Sequence, residues 1–175
     1  MRALQDLQQG LFLDSDGVLL LDGVRTVILP AFFLVELQDG AEKLMGRGAF
    51  GILHRTGEEF GRRVAEVTRK SLGTEDAAAV FRRIQVRTET RGFGRAEAVR
   101  FDPGTGEALL CMERSPMVEE AGSRPHKTCY FAAGFWTGVV GVLTGLAVTG
   151  EERLCRSKGD ARCEFVIGPL PRTSP

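Results

Sequence analysis

Residues 126–165 read HKTCYFAAGFWTGVVGVLTGLAVTGEERLCRSKGDARCEF and contain three of the four cysteines of the 175-residue chain. The apolar run after Cys129 predicts a helix over residues 130–145, about 24 Å long at about 1.5 Å per residue. The next segment, LAVTGEE, predicts a strand, which advances about 3.3 Å per residue and covers nearly the same distance. A strand that returns along the helix brings Glu152 back to the level of Cys129.

A turn centred on Gly159 predicts a hairpin that places Cys155 opposite Cys163, with both side chains on one face. Three sulfur atoms and one carboxylate then converge on one point. Thiolates are soft ligands that favour zinc, and four protein ligands form the closed tetrahedron of a structural zinc site. We therefore predict a structural zinc ion bound by Cys129, Glu152, Cys155 and Cys163.

The spacing within this ligand set imposes a condition on the strand. Glu152 and Cys155 are an odd number of residues apart, so on a regular strand they face opposite sides of the sheet. The chain therefore needs a bulge or irregular turn near residues 150–153. Three alternatives stay open: a disulfide between Cys155 and Cys163, three buried free thiols, or His126 in place of Glu152 as the fourth ligand.

The same residues form a signature: Cys129, the apolar helix with FWTG, the ExxC motif from Glu152 to Cys155, and KGDARCEF with Cys163. This signature resembles that of the 4-vinyl reductase domain family. Members occur in bacteriochlorophyll-synthesis proteins and as the zinc-containing aromatic-sensing domain of phenol- and xylene-responsive transcriptional activators. The resemblance implies that the four positions bind zinc here, as they do in the sensor members. Residues 25–69, with FLVEL and GAFGILHRTGEEFG, resemble the N-terminal helices of the family.

The remainder of the chain alternates between helical and strand-like patterns. Apolar residues at helical spacing, interrupted by glycines, predict helices in the N-terminal half. Runs on either side of Pro103-Gly104-Thr105-Gly106 predict two antiparallel strands. The predicted elements are helices over residues 1–9, 30–45, 49–72 and 76–84, a hairpin over residues 11–23, and strands over residues 94–102 and 106–114.

These elements predict an α+β fold, with an antiparallel sheet of five or six strands packed against helices on one side. The resemblance implies the ligand-binding fold of nitric-oxide-signalling and Golgi-transport proteins. Residues 1–168 are expected to form a single 4-vinyl-reductase-like domain, large enough to bury a core without further stabilisation. Residues 169–175 are expected to be a disordered, proline-rich tail.

An apolar, aromatic-lined cavity is expected between the helices and the sheet, where it would bind a small hydrophobic molecule. Phenylalanines recur at helical spacing, and a histidine supplies a polar group able to bond a ligand oxygen. Plain core packing is the alternative for the phenylalanine stripe. The candidate ligand-binding residues are Phe33, Phe50, His54, Phe60, Met112, Phe131, Phe135 and Trp136.

The chain departs from the aromatic sensors at the positions that grip phenol. The histidine and tryptophan of those sensors do not align, because CMERS with Met112 stands near the expected tryptophan and the spacing to Cys129 is shorter. We therefore expect a ligand that is bulkier or less polar than phenol.

Glycines at 134, 138, 141 and 145 form a GxxxGxxGxxxG face on the helix over residues 130–145. Another backbone can lie closely against such a face. The partner is either a helix of the same chain, a ligand pocket, or a second copy of the chain. We expect a homodimer.

Charge and motifs exclude several classes of protein. Basic and acidic residues balance at 23 each without a long basic run, so we expect no direct nucleic-acid binding. The N-terminus lacks the apolar core of a signal peptide, which favours a reducing, cytoplasmic location. Residues 130–148 are too interrupted by threonines and glycines to span a membrane, and spanning would separate Cys129 from Glu152.

The sequence contains no GxxxxGK[ST], GxGxxG, HExxH or GxSxG motif and only two histidines, so we expect no autonomous enzyme. The predicted function is a zinc-stabilised binding or sensing domain for a hydrophobic ligand. It would act in trans, because no ATPase or DNA-binding module follows in this sequence. Two alternatives remain: an accessory protein or reductase in tetrapyrrole (bacteriochlorophyll) synthesis, implied by the resemblance, and a dimeric scaffold without a ligand.

Overall fold

Two antiparallel sheets form the β-structure of the computed structural model, which describes residues 7–170. The N-terminal sheet has the order β1-β2-β3 and the second sheet has the order β4-β5-β7-β6. The strands are β1 Leu11–Leu13, β2 Leu19–Leu21, β3 Val24–Arg25, β4 Arg95–Asp102, β5 Glu107–Glu113, β6 Val148–Leu154 and β7 Cys163–Pro169.

The α+β class and the antiparallel sheet packed against helices are confirmed. The prediction of one sheet with five or six strands is wrong, because β1, β2 and β3 pair only among themselves within the described residues. Their strands are two or three residues long, and Asp14 closes the first turn by accepting hydrogen bonds from the backbone N–H groups of Asp16 and Val18. A hairpin satisfied locally in this way has no need of the larger sheet.

The helices lie close to their predicted positions, with one difference in length. Asp76 caps α3 by accepting hydrogen bonds from the N–H groups of Ala78 and Ala79, as its position before the helix predicts. The helix continues to Thr90, well beyond the predicted end at residue 84. The helices are α1 Phe32–Met45, α2 Gly48–Leu72, α3 Ala77–Thr90, α4 Pro116–Ala121 and α5 Tyr130–Thr144, and a short 3-10 turn covers Arg156–Lys158.

The core lies between the four-stranded sheet and α5, with α3 beside it and α2 packed on α5. Alternate residues of β5 are buried against the helices, as the period of a strand requires. Trp136 in the middle of α5 is completely buried. The other central residues of the core include Val80, Phe81, Ile84, Leu110, Val139, Val140, Phe165 and Ile167.

The glycine face of α5 packs against α2 of the same chain. A Cβ atom added to Gly134 would lie 1.9 Å from the carbonyl oxygen of His54, and one added to Gly138 would lie 2.0 Å from that of Glu58. Both distances are far inside van der Waals contact, so the two helix backbones touch. Close packing within the chain therefore explains these two glycines, and the alternative of a dimer seam at this face is wrong.

Both ends of the chain extend beyond the described residues. Residues 7–10 are helical, whereas residues 1–6 of the predicted N-terminal helix lie outside the described range. Residues 171–175 of the predicted tail also lie outside it. Pro169, expected in the tail, is instead the last residue of β7 and pairs with Val148. None of the helices within residues 7–170 has both the length and the apolar character required to cross a membrane.

Candidate metal centre and apolar cavity

Four buried side chains meet where the N-terminus of α5 contacts the ends of β6 and β7. Cys129 precedes α5, Glu152 lies in β6, Cys155 directly follows β6, and Cys163 begins β7. One ligand atom of each residue lies within 4.8 Å of the others, and each residue is at most 3% exposed. The structure thus brings together all four residues of the predicted zinc site.

The irregularity required near residues 150–153 is present in β6. Glu152 pairs with Phe165 and Leu154 with Glu164, so the register shifts between them. This shift turns Cys155 to the same side as Glu152. The predicted pairing of Cys155 opposite Cys163 is wrong, because Cys155 leaves the strand to begin the 3-10 turn.

The alternatives for these side chains are not what the structure shows. All four cysteines, which lie within the described residues, are free thiols. The sulfur atoms of Cys129 and Cys163 are 4.0 Å apart, twice the length of about 2.05 Å of a disulfide bond. His126 is engaged elsewhere, because its Nε2 lies 2.9 Å from Glu42 Oε1 and its Nδ1 lies 2.9 Å from the Lys127 carbonyl oxygen.

Glu152 shows how well a cation would fit the centre. Its Oε2 accepts a hydrogen bond of 3.0 Å from the backbone N–H of Cys129, whereas its buried Oε1 has no hydrogen-bond partner among the described residues. Burial, together with the neighbouring Cys155, raises the pKa of this carboxyl to about 8. A buried carboxylate oxygen without a partner is costly, and coordination of a metal ion would satisfy it.

The thiols share their protons through hydrogen bonds. Bonds with Cys155 and Cys163, together with burial, raise the pKa of Cys129 well above its ordinary value. The bond with Cys129 lowers the pKa of Cys163, but the bond with Cys155 and burial outweigh it and raise this pKa to about 12. The pKa of Cys155 is lowered, because both other thiols donate to it. Without a cation, this centre supports one thiolate and keeps its other protons.

Polar groups around the centre support the sulfur atoms. Ser157 Oγ lies 3.0 Å from the Cys155 sulfur, and Ser115 Oγ lies 3.7 Å from that of Cys129. The backbone N–H of Arg156 donates to the sulfur of Cys163 at 3.5 Å. Metal-bound thiolates commonly have such outer donors, and the set of three sulfurs and one carboxylate suits a tetrahedral zinc ion.

The nearby arginines serve a different carboxylate. Glu164 is completely buried, and it is paired with Arg153 and Arg162. Lys127 donates through Nζ to the carbonyl oxygen of Glu152 and so reaches the backbone of a candidate ligand. The positive charge in this part of the sequence therefore balances Glu164 as well as the candidate metal centre.

A cavity of about 60 Å³ lies among α2, α3, α5 and β5. Its surface is almost entirely apolar, and two phenylalanines from α5 form one wall. Four candidate ligand-binding residues line it: Phe60, Met112, Phe131 and Phe135. Residues that the sequence analysis did not select complete the lining, among them Val64, Ile84, Arg87, Thr88, Arg91 and Phe93.

Two of the other candidates lie on the outside of the helices. Phe33 in α1 is 41% exposed. Phe50 in α2 stacks on Tyr130 with ring centroids 4.3 Å apart. The structure places neither residue in the lining of the cavity.

The last two candidates have structural partners. His54 Nε2 lies 2.9 Å from the carbonyl oxygen of Gly150 and must carry a proton, because a carbonyl only accepts. His54 therefore ties α2 to β6 instead of reaching the cavity. Trp136 packs in the core beside Phe81, with ring centroids 5.5 Å apart. Neither residue lines the cavity.

Arg87 and Arg91 were missed because the predicted helix ended at residue 84. The sequence did contain a signal: Arg83, Arg87 and Arg91 are spaced by four residues and therefore follow one face of a longer helix. Extending the helical pattern through residues 85–90 would have placed these arginines beside the core residues Val80 and Ile84.

Comparison with known proteins places this geometry in a family. Residues 110–169 match the family model of the 4-vinyl reductase domain, so this part of the chain carries such a domain. It includes the whole candidate metal centre. The resemblance to the 4-vinyl reductase domain family is therefore confirmed. A comparison with curated proteins found no significant match.

Solved structures share the fold at low sequence identity. The phenol-responsive sensory domain of the transcription activator PoxR, with phenol, is 20% identical with a TM-score of 0.81, covering 96% of this chain and 89% of that chain. A vinyl-4-reductase family protein from Methanocaldococcus jannaschii is 18% identical with a TM-score of 0.56, covering 86% of each chain. Trafficking protein particle complex subunit 3 from Naegleria fowleri, covalently bound to palmitic acid, is 15% identical with a TM-score of 0.57, covering 81% of this chain and 93% of that chain.

Proposed function

We propose that the protein is a single-domain, zinc-stabilised sensor that binds a small hydrophobic molecule and acts in trans. One observation carries this proposal: α5 contributes Phe131 and Phe135 to the apolar cavity and begins directly after Cys129 of the metal centre. A ligand that moves this helix would act on a segment anchored at one end. The fold shared with the sensory domain of PoxR, which is phenol-responsive, supports the same function.

The zinc ion would be held by Cys129, Glu152, Cys155 and Cys163. Its role would be structural, because four protein ligands leave no open position for a reacting water. Free thiols of this kind persist in a reducing compartment, which supports a cytoplasmic location.

The size of the cavity limits the ligand. Pockets for drug-sized ligands usually measure about 300–1,000 Å³, whereas this cavity measures about 60 Å³. It admits a short alkyl group or, with movement of Phe60 or Phe131, a single ring. The structure thus favours a smaller ligand than the bulky one expected from the sequence, and a tetrapyrrole does not fit.

Small apolar probes should stabilise the protein. At a concentration ten times its Kd, toluene or phenol would contribute about 1.4 kcal/mol, which raises the Tm by about 3–6 °C for a domain of this size. Substituting Ala132→Phe should abolish the shift, because Ala132 lines the cavity and a phenyl ring would fill it. Differential scanning fluorimetry measures both effects.

Phe33→Ala is the matched control for this experiment. It removes an aromatic ring outside the cavity and should leave the probe-induced shift unchanged. A wild-type Tm that does not respond to either probe would contradict the binding proposal. That result would favour the alternative of a scaffold without a ligand.

We also propose that the protein forms a homodimer through an exposed apolar segment. Large apolar side chains are concentrated between β3 and the end of α1, and Val27, Ile28 and Leu44 are each at least 73% exposed. Apolar surface that is continuous over a segment is costly in water and is typical of an interaction site. The exposed apolar residues of this segment are Val24, Val27, Ile28, Leu29, Phe32, Phe33, Leu37, Leu44 and Met45.

Ile28→Glu should convert the dimer to a monomer, because a buried unpaired carboxylate would oppose association. Native mass spectrometry should give twice the chain mass of 19.1 kDa for the wild type and the single mass for the variant. Val99→Glu is the control, since Val99 is 59% exposed on β4, outside the segment. A monomeric wild type, or loss of the dimer in the control alone, would contradict this interface.

A further inference from the structure

Among the described residues, Arg87 is the one basic side chain that both borders the cavity and is largely withdrawn from water. Its side chain is 11% exposed. Nη1 donates to Thr68 Oγ1 at 2.9 Å, and Nη2 lies 3.3 Å from Asp22 Oδ2. Nε is buried and has no hydrogen-bond partner within residues 7–170. Burial lowers the pKa of this guanidinium, which nevertheless stays charged at neutral pH.

The charges around Arg87 do not balance. In the part of the chain that the structure describes, Asp22 is the one carboxylate that acts on Arg87, and Arg91 shares it at 3.0 Å from Oδ2. Arg83 and Arg91 both add positive charge near Arg87. One carboxylate among three guanidinium groups leaves a surplus of positive charge, and both Arg87 and Arg91 line the apolar cavity.

An unpartnered guanidinium N–H beside an apolar cavity specifies a ligand with two parts. A carboxylate would accept the free Nε–H in a charge-assisted hydrogen bond, which is about twice as strong as a bond to a neutral oxygen. The phenyl walls, Phe60, Phe131 and Phe135, offer nothing polar and would surround a ring or short alkyl group. A neutral ligand would leave the surplus charge in place.

From this arrangement we infer that the ligand is a small amphipathic carboxylate, with its apolar part in the cavity and its carboxylate at Arg87. The inference rests on the proposed binding function and specifies the chemical class of its ligand. It makes Arg87 a residue that determines specificity, and it assigns Asp22 a second role. Asp22 competes with the ligand for Arg87 and Arg91, and it keeps both arginines in position while no ligand is bound.

Benzoate and benzyl alcohol test this inference, because they have the same ring and similar size but differ in charge. Isothermal titration calorimetry at pH 7 should show that the wild type binds benzoate about 10- to 100-fold more tightly, as expected for a charge-assisted hydrogen bond. Arg87→Met should remove this preference and leave binding of benzyl alcohol within about twofold, since the apolar walls are intact. Arg82→Met is the control, because Arg82 is exposed on α3 and lines neither cavity nor adjoining cleft.

A second variant keeps the test valid even where Arg87→Met folds poorly. Asp22→Asn removes the competing carboxylate and leaves both arginines, so benzoate should bind several-fold more tightly while benzyl alcohol is unaffected. Equal affinities of the wild type for the two compounds would overturn the inference but leave the binding function intact. Absence of binding by both compounds would count against the binding function as well, and benzoate binding that is insensitive to both substitutions would overturn the role of Arg87.

Discussion

Substituting Cys155→Ser should remove zinc from the protein. Cys155 receives hydrogen bonds from both other thiols and is the thiol of the centre whose pKa is lowered. A hydroxyl in its place is a much poorer zinc ligand than a thiolate. Loss of an outer partner of a metal ligand costs about 10- to 100-fold in affinity, so loss of a ligand itself should cost at least about 100-fold. Elemental analysis of the purified protein should fall from one zinc per chain to a small fraction.

Cys111→Ser is the matched control. Cys111 is half-buried on β5 next to Met112 and is not a member of the centre, so its substitution should leave the zinc content unchanged. Hydrogen exchange should show faster exchange in residues 150–163 of Cys155→Ser and not of Cys111→Ser. Full zinc occupancy in Cys155→Ser, or a wild type that binds no zinc after reconstitution, would contradict the site.

Proton release gives a second readout of the same centre. At pH 7 the raised pKa values keep Glu152, Cys129 and Cys163 largely protonated in the absence of metal. Zinc coordinates the deprotonated forms, so binding should release these protons. Calorimetry in buffers of different ionisation enthalpy measures this release. Zinc affinity should fall as the pH is lowered, because protons then compete more strongly for the same atoms.

The metal centre was the part of the molecule most accessible from the sequence. Its prediction needed only the lengths of one helix and one strand, which return Glu152 to Cys129. The odd spacing of Glu152 and Cys155 then required the register shift that β6 contains. Rises and alternation per residue are nearly constant among proteins, so arguments from them transfer to a new chain.

The partners of each face were much less accessible. Helical spacing correctly placed Phe33 and Phe50 on helix surfaces, but periodicity does not state what a surface faces. His54 bonds to Gly150, 96 residues away, through a contact that local patterns do not encode. The separation of the N-terminal sheet had the same origin, because an alternating pattern identifies a strand without identifying its neighbour.

Ala in place of Gly134 should destabilise the protein strongly, although alanine normally favours a helix by about 1 kcal/mol over glycine. The new Cβ would lie 1.9 Å from the carbonyl oxygen of His54, a backbone atom of α2 that has no freedom to move alone. The helices would have to separate, and overpacking of this kind costs about 1–3 kcal/mol or more. Chemical denaturation of the zinc-loaded protein measures this loss.

Gly51→Ala in α2 is the control with the opposite expected sign. An added Cβ at Gly51 meets nothing within 4 Å, so the helix preference of alanine should stabilise the protein by about 0.5–1 kcal/mol. A Gly134→Ala variant as stable as Gly51→Ala would show that the two helices are not in backbone contact.

The crossing also connects the two candidate sites. Gly57 and Gly61 of α2 meet the carbonyl oxygens of Phe131 and Phe135 as closely as the glycines of α5 meet α2. Phe60 of α2 faces the same two phenylalanines across the cavity, with ring centroids 5.8 Å from each. A forced separation of the helices should therefore widen the cavity and displace Cys129 at the start of α5. Gly134→Ala should accordingly weaken zinc binding as well as stability, whereas Gly51→Ala should change neither the metal centre nor the cavity.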